Sequence, residues 1–224
     1  MLAAPIPSFR CRFASLRLAR VVVIAVLGLT STARADGPDE ATSGAIAEAD
    51  AVVDGLHEAL MRNLHSKAGC VARVQALQPA VTAAFDFDFI AQKLLRKRWK
   101  DASPAQREAM REAVADSAVI SYAARFVGGG ALHFERIATT SGAVGPLVKA
   151  RLVNPGGSNV SFDYSLRPTG QGPRIVNVVA EGVSDLAVRS AQYEAVAARD
   201  GVDGLIRSVQ ARNQLDLDTC KAAR

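Results

Sequence analysis

The sequence predicts an α+β fold from two changes in the spacing of its apolar residues. Between residue 46 and the glycines at 128–130, these residues recur every three to four positions, as on one face of a helix. From residue 132 to residue 180 they mostly alternate with polar residues, as in strands, and from residue 186 the helical spacing returns. We therefore expect N-terminal helices packed on a four-stranded antiparallel meander, followed by C-terminal helices and enclosing an apolar pocket.

The first 35 residues have the three parts of a secretory signal peptide. A basic stretch precedes the apolar run Val21–Leu29, and Ala33 and Ala35 stand at the positions that signal peptidase reads. The run is too short for a permanent membrane anchor, which needs about 20 apolar residues. We expect a signal peptide at 1–35 with cleavage after Ala35, and a single domain at 36–224.

The net charge of the expected mature chain excludes one class of function. The first 35 residues contain five arginines and no acidic residue, so 22 basic and 22 acidic residues remain after them. Proteins that bind nucleic acid by bulk electrostatics carry a clear excess of positive charge. We therefore expect no nucleic-acid partner.

Two amphipathic helices are expected first. The longer one has its apolar residues at helical spacing: Ile46, Ala49, Val53, Leu56, Leu60 and Leu64. The second runs through Val71, Val74 and Leu77. Pro79 is expected to bend or restart it, because proline has no backbone N–H to donate.

The third helix is expected to run from Phe87 to the single tryptophan, Trp99. Ala91, Leu95 and Trp99 share one face, while most of the lysines and arginines lie on the other side. Arg98 is the exception, since it falls on the apolar side. There its aliphatic stem can pack while its guanidinium reaches water.

A sharp corner and a fourth helix follow. Ser103 can cap a helix, Pro104 suits its first position, and Gln106 completes a capping box. Apolar residues then recur at every fourth position: Met110, Val114, Ala118, Tyr122 and Phe126. The glycines at 128–130 are expected to end this helix.

Four strands are expected after these glycines. Their inward-facing candidates are Leu132 and Phe134; Val148, Ala150 and Leu152; Val160, Phe162, Tyr164 and Leu166; and the apolar run Ile175–Ala180. The sequence Asn-Pro-Gly-Gly at 154–157 predicts a hairpin between the second and third strands.

The C-terminal region is expected to be helical again. Ser184 is a candidate cap for a helix that carries Leu186 and Tyr193 on one face and ends at Gly201. A short last helix, Val202–Gln210, should precede a polar tail.

Cys70 and Cys220 are the two cysteines of the expected mature chain. In a protein exported to an oxidising compartment, two remaining cysteines most often pair, so we expect one disulfide between them. Two separate thiols are the alternative, because Cys220 lies in the expected tail.

No catalytic or metal-binding pattern stands out in the sequence. His57, His65 and His133 have no second ligand at a metal-binding spacing, and exposed or interface positions are expected for the histidines. Asp86 and Asp88 stand at a helix start, where carboxylates interact favourably with the helix dipole. There is no G-x-S-x-G motif, and we expect no metal and no cofactor.

The order of helices and strands predicts an apolar cavity instead. Helices packed on one face of a curved sheet can enclose a cavity within the size range of ligand pockets. Six aromatic residues are placed to line or close it: Trp99, Tyr122, Phe126, Phe134, Phe162 and Tyr164. Each of them, taken singly, is explained equally well as an ordinary core residue.

Short stretches spread over most of the mature chain carry a likeness to a known protein family. They keep their order along the chain: Phe85–Ala91, Trp99 with Ala102–Pro104 and Gln106–Arg107, Tyr122–Ala123, Ile175–Val176, Glu181–Ser184 and Gly201–Ile206. Together they resemble the MlaC or toluene-tolerance family of periplasmic lipid-binding proteins, auxiliary components of an ABC transport system. The run Ser121–Phe126 and the glycines after it look most like the hopanoid-associated HpnM branch.

The resemblance implies a periplasmic lipid carrier that is not an enzyme. Such a protein holds a phospholipid or a hopanoid in an apolar cavity. It shuttles this lipid between inner- and outer-membrane transport complexes, and we expect it to be a monomer. The side chains expected to contact the lipid are Leu94, Leu95, Trp99, Tyr122, Phe126, Phe134, Leu152, Phe162, Tyr164, Val176 and Val178.

Arg96 departs from the family pattern, which commonly has a small residue at this position. A charged side chain near Trp99 must stay in water or find a partner. The departure therefore alters the surface of the third helix.

Two other classes of function stay open. A small α+β enzyme acting on an apolar substrate would need a buried acid or base. The candidates on or beside strands are Asp163, Glu181 and His133. Asp163 is expected on the face opposite Phe162 and Tyr164, which argues against it. A non-lipid-binding adaptor of a membrane complex would instead have a solid core without a cavity.

Overall fold

The computed structural model describes residues 40–128 and 130–222. The expected signal peptide and its cleavage site after Ala35 lie outside these residues. The elements follow in this order: α1 (Glu40–His65), α2 (Cys70–Ala84), α3 (Phe87–Leu95), a 3₁₀ helix (Arg96–Trp99), α4 (Pro104–Arg125), β1 (His133–Ser141), β2 (Pro146–Val153), β3 (Val160–Arg167), β4 (Arg174–Ala180), β5 (Val183–Ser184) and α5 (Asp185–Ala222). In this part of the chain, no helix is long and apolar enough to cross a membrane.

The sheet is antiparallel, with its strands in the order β1-β2-β3-β4-β5. The α+β class is confirmed, but the prediction of four strands was wrong. After β4 the chain reverses at Glu181 and Gly182, which have φ of 50° and 78°, and β5 pairs with Val179 and Ala180. Positive φ at both central residues is the geometry of a tight two-residue hairpin, whose usual signal is Asn-Gly or Asp-Gly. Glu-Gly lacks that signal, so the fifth strand was missed.

The expected end of α3 is corrected, and α2 does not restart at Pro79, one of the two outcomes expected there. α2 runs through Pro79 to Ala84 without restarting. α3 ends at Leu95, short of Trp99, because Arg96 has φ 54° and ψ −129°. A single residue outside helical geometry breaks the α-helical hydrogen-bond pattern, and the next residues wind as a 3₁₀ helix.

The corner before α4 has the predicted capping chemistry. Ser103 Oγ accepts the backbone N–H of Gln106 at 3.1 Å, and Gln106 Oε1 accepts the backbone N–H of Ser103 at 2.9 Å. Pro104 occupies the first helical position. Gln106 Nε2 also donates to Asp203 Oδ1 at 2.8 Å, so the same residue ties the corner to α5.

α5 begins as predicted but ends later. Ser184 Oγ accepts the backbone N–H of Ala187 at 3.1 Å, which confirms its capping role. Gly201 interrupts the helix with φ 69° and ψ −172°, and the helix then continues to Ala222. The predicted short helix and polar tail were therefore wrong. The last turns are held by tertiary contacts, because the buried Asn213 donates through Nδ2 to Ala113 O at 2.7 Å.

A disulfide joins Cys70, at the start of α2, to Cys220, near the end of α5. Their Cα atoms are 5.8 Å apart. The predicted pairing is confirmed, and the alternative of two separate thiols is excluded.

The core lies between the helices and one end of the sheet. α1 packs on β1 and β2, while α2, α3 and α5 reach β4, and α4 packs against those three helices. Both layers contribute fully buried side chains, which include Leu56, Leu60, Met110, Leu205, Val148, Leu166 and Ile175.

Candidate functional site

Aromatic rings form a continuous chain between the sheet and the helices. We call this set the aromatic chain: Phe85, Tyr122, Phe126, Phe134, Phe162 and Tyr164. On the sheet, the ring centroid of Phe162 lies 6.0 Å from those of Phe134 and Tyr164. Phe126 lies 6.0 Å from Phe134 and 6.1 Å from Tyr122. Tyr122 lies 6.2 Å from Phe85, which precedes α3. Neighbouring rings are thus at the separation of attractive aromatic pairs.

The inner face of the sheet is buried at one end and only half-buried at the other. Val148, Leu166 and Ile175 are fully buried beneath the helices. The rest of the same face, which we call the open end, includes the half-buried residues Phe134, Leu152, Val160, Phe162 and Ala180, and it is bordered by the half-buried Val178 in the row of Val148 and Tyr164. Tyr122 and Phe126 of the helical layer are half-buried as well. Both the sheet and α4 therefore leave apolar side chains only partly covered here.

His57 of α1 is buried in this region, which corrects the prediction of an exposed or interface position. Its ring stacks on Phe134 at 3.7 Å, and its Nε2 lies 3.0 Å from the Tyr164 hydroxyl. Burial lowers the pKa of His57 to about 4, so the imidazole is neutral at pH 7. A signal for burial was present in the sequence, because His57 follows the core residue Val53 by four positions on one helix face.

The structure brings together most of the side chains expected to contact a lipid. Five belong to the aromatic chain: Tyr122, Phe126, Phe134, Phe162 and Tyr164. Leu152 lies at the open end of the same inner face, and Val178 borders it. Their contact with a lipid stays a prediction.

The other expected contacts lie elsewhere. Leu94 and Leu95 are 2% and 1% exposed within the core, and Val176 is 3% exposed on β4. Trp99 is half-buried on the 3₁₀ helix, where the Arg107 guanidinium covers its ring at 5.0 Å. Trp99 is not part of the aromatic chain.

A basic groove of about 630 Å³ runs between α3 and α5, and Lys93 and Arg96 lie on one side of it. Next to it, Arg98 Nη1 donates to Glu194 Oε2 of α5 at 2.8 Å. The Arg98 hydrogen bond lowers the pKa of the Glu194 carboxyl. The guanidinium of Arg98 was expected to reach water, and it pairs with a carboxylate instead.

The candidate acids and bases of the enzyme alternative do not line the aromatic chain. Asp163 lies on the outer face of β3, opposite Lys149 of β2. Glu181 is exposed and accepts the Ser161 hydroxyl at 2.8 Å. His133 is exposed, with its Nε2 3.3 Å from Glu135 Oε1. Among the residues that the structure describes, no three His, Cys, Asp or Glu side chains are grouped as metal ligands.

Asp86 has the structural role expected at a helix start. Its Oδ1 accepts the backbone N–H of Phe89 at 2.9 Å and so caps α3. Its Oδ2 lies 2.8 Å from Arg167 Nε of β3. Asp86 thus stabilises the start of α3 and its contact with the sheet, while Asp88 lies in the first turn of the helix.

The comparisons with known proteins point to one family. The family description "MlaC protein" matches residues 50–211. A solved structure of similar fold is the phospholipid-binding protein from Ralstonia solanacearum, determined in complex with a phospholipid. The two chains are 18% identical with a TM-score of 0.66, and the similarity covers 77% of this chain and 98% of the other. At that identity the likeness concerns the fold. No curated protein sequence matches this chain significantly. Because the family match spans more than half of the chain, the protein belongs to the MlaC family.

Proposed function

We propose that this protein is a periplasmic lipid carrier that holds a phospholipid by its acyl chains between the open end of the sheet and α4. Membership of the MlaC family supports a lipid-binding carrier as the class of function. The observation that carries the proposal is the aromatic chain, four of whose six rings are only half-buried. Large apolar side chains left uncovered side by side are typical of ligand and interaction sites.

The energy of acyl-chain burial determines how such a carrier exchanges its lipid. Burying one methylene group is worth about 0.8 kcal/mol, so a sixteen-carbon chain contributes on the order of 12 kcal/mol. Release into water would therefore be very slow. The lipid must pass directly to a membrane-bound partner, and the inner- and outer-membrane transport complexes of the family are the proposed partners of a monomeric carrier.

The opening movement is proposed at the C-terminal end of α4. The links between this end and the rest of the molecule include the ring contact of Phe126 with Phe134, a hydrogen bond of 2.6 Å from Asn63 Nδ2 to Phe126 O, and one of 3.2 Å from Arg73 Nε to Ala123 O. Gly128 and Gly130 follow with φ of 104° and 105°, which glycine adopts without strain. A small displacement of Phe126 would widen the space in front of Phe134.

Native mass spectrometry of the protein purified from its own periplasm tests the carrier function. We expect one phospholipid for each protein chain. Recovery of the protein without any stoichiometric lipid would refute lipid carriage, and recovery of a hopanoid would assign the chain to the HpnM-like branch.

A variant that fills the proposed acyl-chain site tests where the lipid binds. Val178→Trp adds bulk at the border of the open end, so we expect it to lower the bound lipid severalfold while the protein stays folded. Ile137→Trp is the control, because Ile137 lies on β1 and is 52% exposed. Equal lipid content in the two variants would place the acyl chains elsewhere.

A further inference from the structure

Five of the eight residues from Lys93 to Lys100 are basic, and none is acidic. This basic stretch covers the end of α3 and the 3₁₀ helix that follows it. Arg98 pairs with Glu194 of α5 at 2.8 Å. The other four basic residues are exposed and form no ion pair within residues 40–128 and 130–222: Lys93, Arg96, Lys97 and Lys100. Because the expected mature chain is neutral overall, their positive charge is a local feature of this surface.

Two of these cations line the groove between α3 and α5, whose volume is about 630 Å³. The lining residues are Gln92, Lys93, Arg96, Ala187, Ser190 and Ala191. None of them is acidic, and those of α5 are small, so the lining neither repels an anion nor fills the space. The volume lies within the range of ligand sites. The groove can therefore admit an anionic group beside Lys93 and Arg96.

The backbone of Arg96 gives a second reason, independent of charge, to place a ligand here. Its φ of 54° with ψ of −129° is a conformation that residues with a Cβ rarely adopt. Strained backbone persists only where the surrounding structure holds it, and it clusters at binding sites. The strained residue and the basic groove coincide at Arg96.

We propose that the basic stretch docks the protein on the anionic surface of a bilayer, with a head-group phosphate of that surface in the groove. An anionic leaflet attracts lysine and arginine side chains near its surface, and each such charge strengthens binding about fivefold. The bilayer is distinct from the carried lipid, so the inference goes beyond the proposed carriage and does not depend on it. Docking would bring the carrier to the membrane in which the proposed transport complexes lie.

An acidic protein is the other partner that a basic surface attracts. Stable protein interfaces contain buried apolar or aromatic anchors near their centre. The groove offers no large apolar side chain, since α5 contributes only alanine and serine to it. A bilayer surface needs no such anchor, because its phosphates supply the attraction. The composition of the groove therefore favours a bilayer.

Sedimentation with vesicles tests the docking. Protein purified from the periplasm is mixed with vesicles of neutral phosphatidylcholine, or of phosphatidylcholine with one third phosphatidylglycerol, and the bound fraction is measured. We expect binding to the anionic vesicles only. Raising the NaCl concentration from about 10 mM to about 1 M shortens the Debye length from about 30 Å to about 3 Å, so it should release the protein.

Two double variants with the same change in net charge separate the groove from the rest of the surface. Lys93→Gln with Arg96→Gln removes both groove cations and should weaken vesicle binding on the order of twentyfold. Lys67→Gln with Lys149→Gln removes two exposed lysines of the α1–α2 loop and β2, and it should leave binding unchanged. Lys93→Gln alone leaves the strained residue intact and should weaken binding about fivefold.

Several results would refute the docking. These are equal binding to both vesicle compositions, no binding to either, and equal weakening in the two double variants. Binding that persists at high salt would indicate apolar insertion and contradict a charge-based contact. If the wild-type protein binds soluble polyglutamate through Lys93 and Arg96 but does not bind vesicles, the partner is an acidic protein and the assignment to a bilayer is overturned.

Native mass spectrometry of the same proteins distinguishes docking from lipid carriage. The variant Lys93→Gln with Arg96→Gln should keep the lipid content of the wild-type protein, because the groove contacts the bilayer and not the carried lipid. A loss of lipid from this variant would place the groove within the carrier site and overturn the docking assignment. Wild-type protein that carries lipid but does not sediment with anionic vesicles would refute docking alone, whereas protein that sediments without carrying lipid would refute carriage alone.

Discussion

At the scale of single residues, His57 differs from its neighbours because it is a histidine buried beside the aromatic chain. It is a titratable group placed against Phe134 and Tyr164, and it is 6% exposed. Burial disfavours the charged form, which lowers the pKa of His57 from 6.5 to about 4. The unfolded chain therefore binds a proton more readily than the folded protein between these two pH values. The stability that neutral His57 contributes is fully present above pH 6.5 and is lost as the pH falls toward 4.

The His57 effect is measurable by urea unfolding at pH 7.5 and pH 5.0. We expect the wild-type protein to lose about 2 kcal/mol of unfolding free energy from this group between the two pH values. His57→Gln keeps a hydrogen-bonding group but cannot titrate, so its loss should be smaller by that amount. The same pH dependence in both proteins would mean that His57 does not titrate across this range.

Arg96 is a second residue whose conformation has an energetic cost. Its φ of 54° with ψ of −129° is a region that residues with a Cβ rarely adopt. Arg96→Gly should therefore raise the free energy of unfolding by about 1–3 kcal/mol.

Lys97→Gly is the control for Arg96, because Lys97 follows it in the 3₁₀ helix without a positive φ. There glycine only adds freedom to the unfolded chain, so this variant should lose about 0.5–1 kcal/mol. Urea unfolding of both variants gives the two values. A destabilised Arg96→Gly protein would show that the arginine side chain outweighs the backbone strain.

At the scale of elements, features with a local cause could be predicted from the sequence. The corner at Ser103 and Gln106 depends on hydrogen bonds within four residues, and its capping box was predicted correctly. The end of α3 was not, because apolar spacing continues to Trp99 while the backbone conformation of Arg96 does not show in that spacing. β5 was missed for a similar reason, since its turn is formed by an atypical Glu181-Gly182 pair.

α5 is kinked at Gly201. Replacing this glycine tests whether the stability of the protein depends on the backbone conformation at the kink. Its φ of 69° and ψ of −172° lie in a region that is essentially restricted to glycine. A Cβ at this position would meet no atom within 4 Å, so the cost of Gly201→Ala is conformational. We expect it to lower the free energy of unfolding by about 1–3 kcal/mol.

Gly55 provides the comparison with the opposite sign. It is exposed in the interior of α1, and a Cβ there would also meet nothing within 4 Å. Gly55→Ala should raise the free energy of unfolding by about 0.5–1 kcal/mol, because alanine is the better helix former. Thermal or urea unfolding of the two variants measures both effects. An equal rise in the free energy of unfolding in both variants would mean that the kink at Gly201 is not required.

At the scale of the whole molecule, contacts between residues that are far apart in the sequence could not be predicted as well. Tyr122 and Phe162 were expected near one cavity, but their ring-to-ring path through Phe126 and Phe134 depends on strand register and on where α4 ends. The hydrogen bond from Arg189 of α5 to Ser117 of α4 depends on how these two helices cross. Spacing within one element contains no information on either relation, so these contacts between elements became visible only in the structure.

The disulfide is a covalent link at this scale, and it joins residues 150 positions apart. Such a link restricts the unfolded chain, and native disulfides typically contribute about 2–4 kcal/mol. Cys70→Ser combined with Cys220→Ser should lower the free energy of unfolding by that amount. The reducing agent dithiothreitol should produce the same loss in the wild-type protein and no further loss in the double variant.

Since Cys220 also anchors the last turns of α5, hydrogen exchange in residues 211–222 should increase before the rest of the fold opens. Unchanged stability and exchange after reduction would show that Asn213 and its neighbours hold this end of α5 without the disulfide.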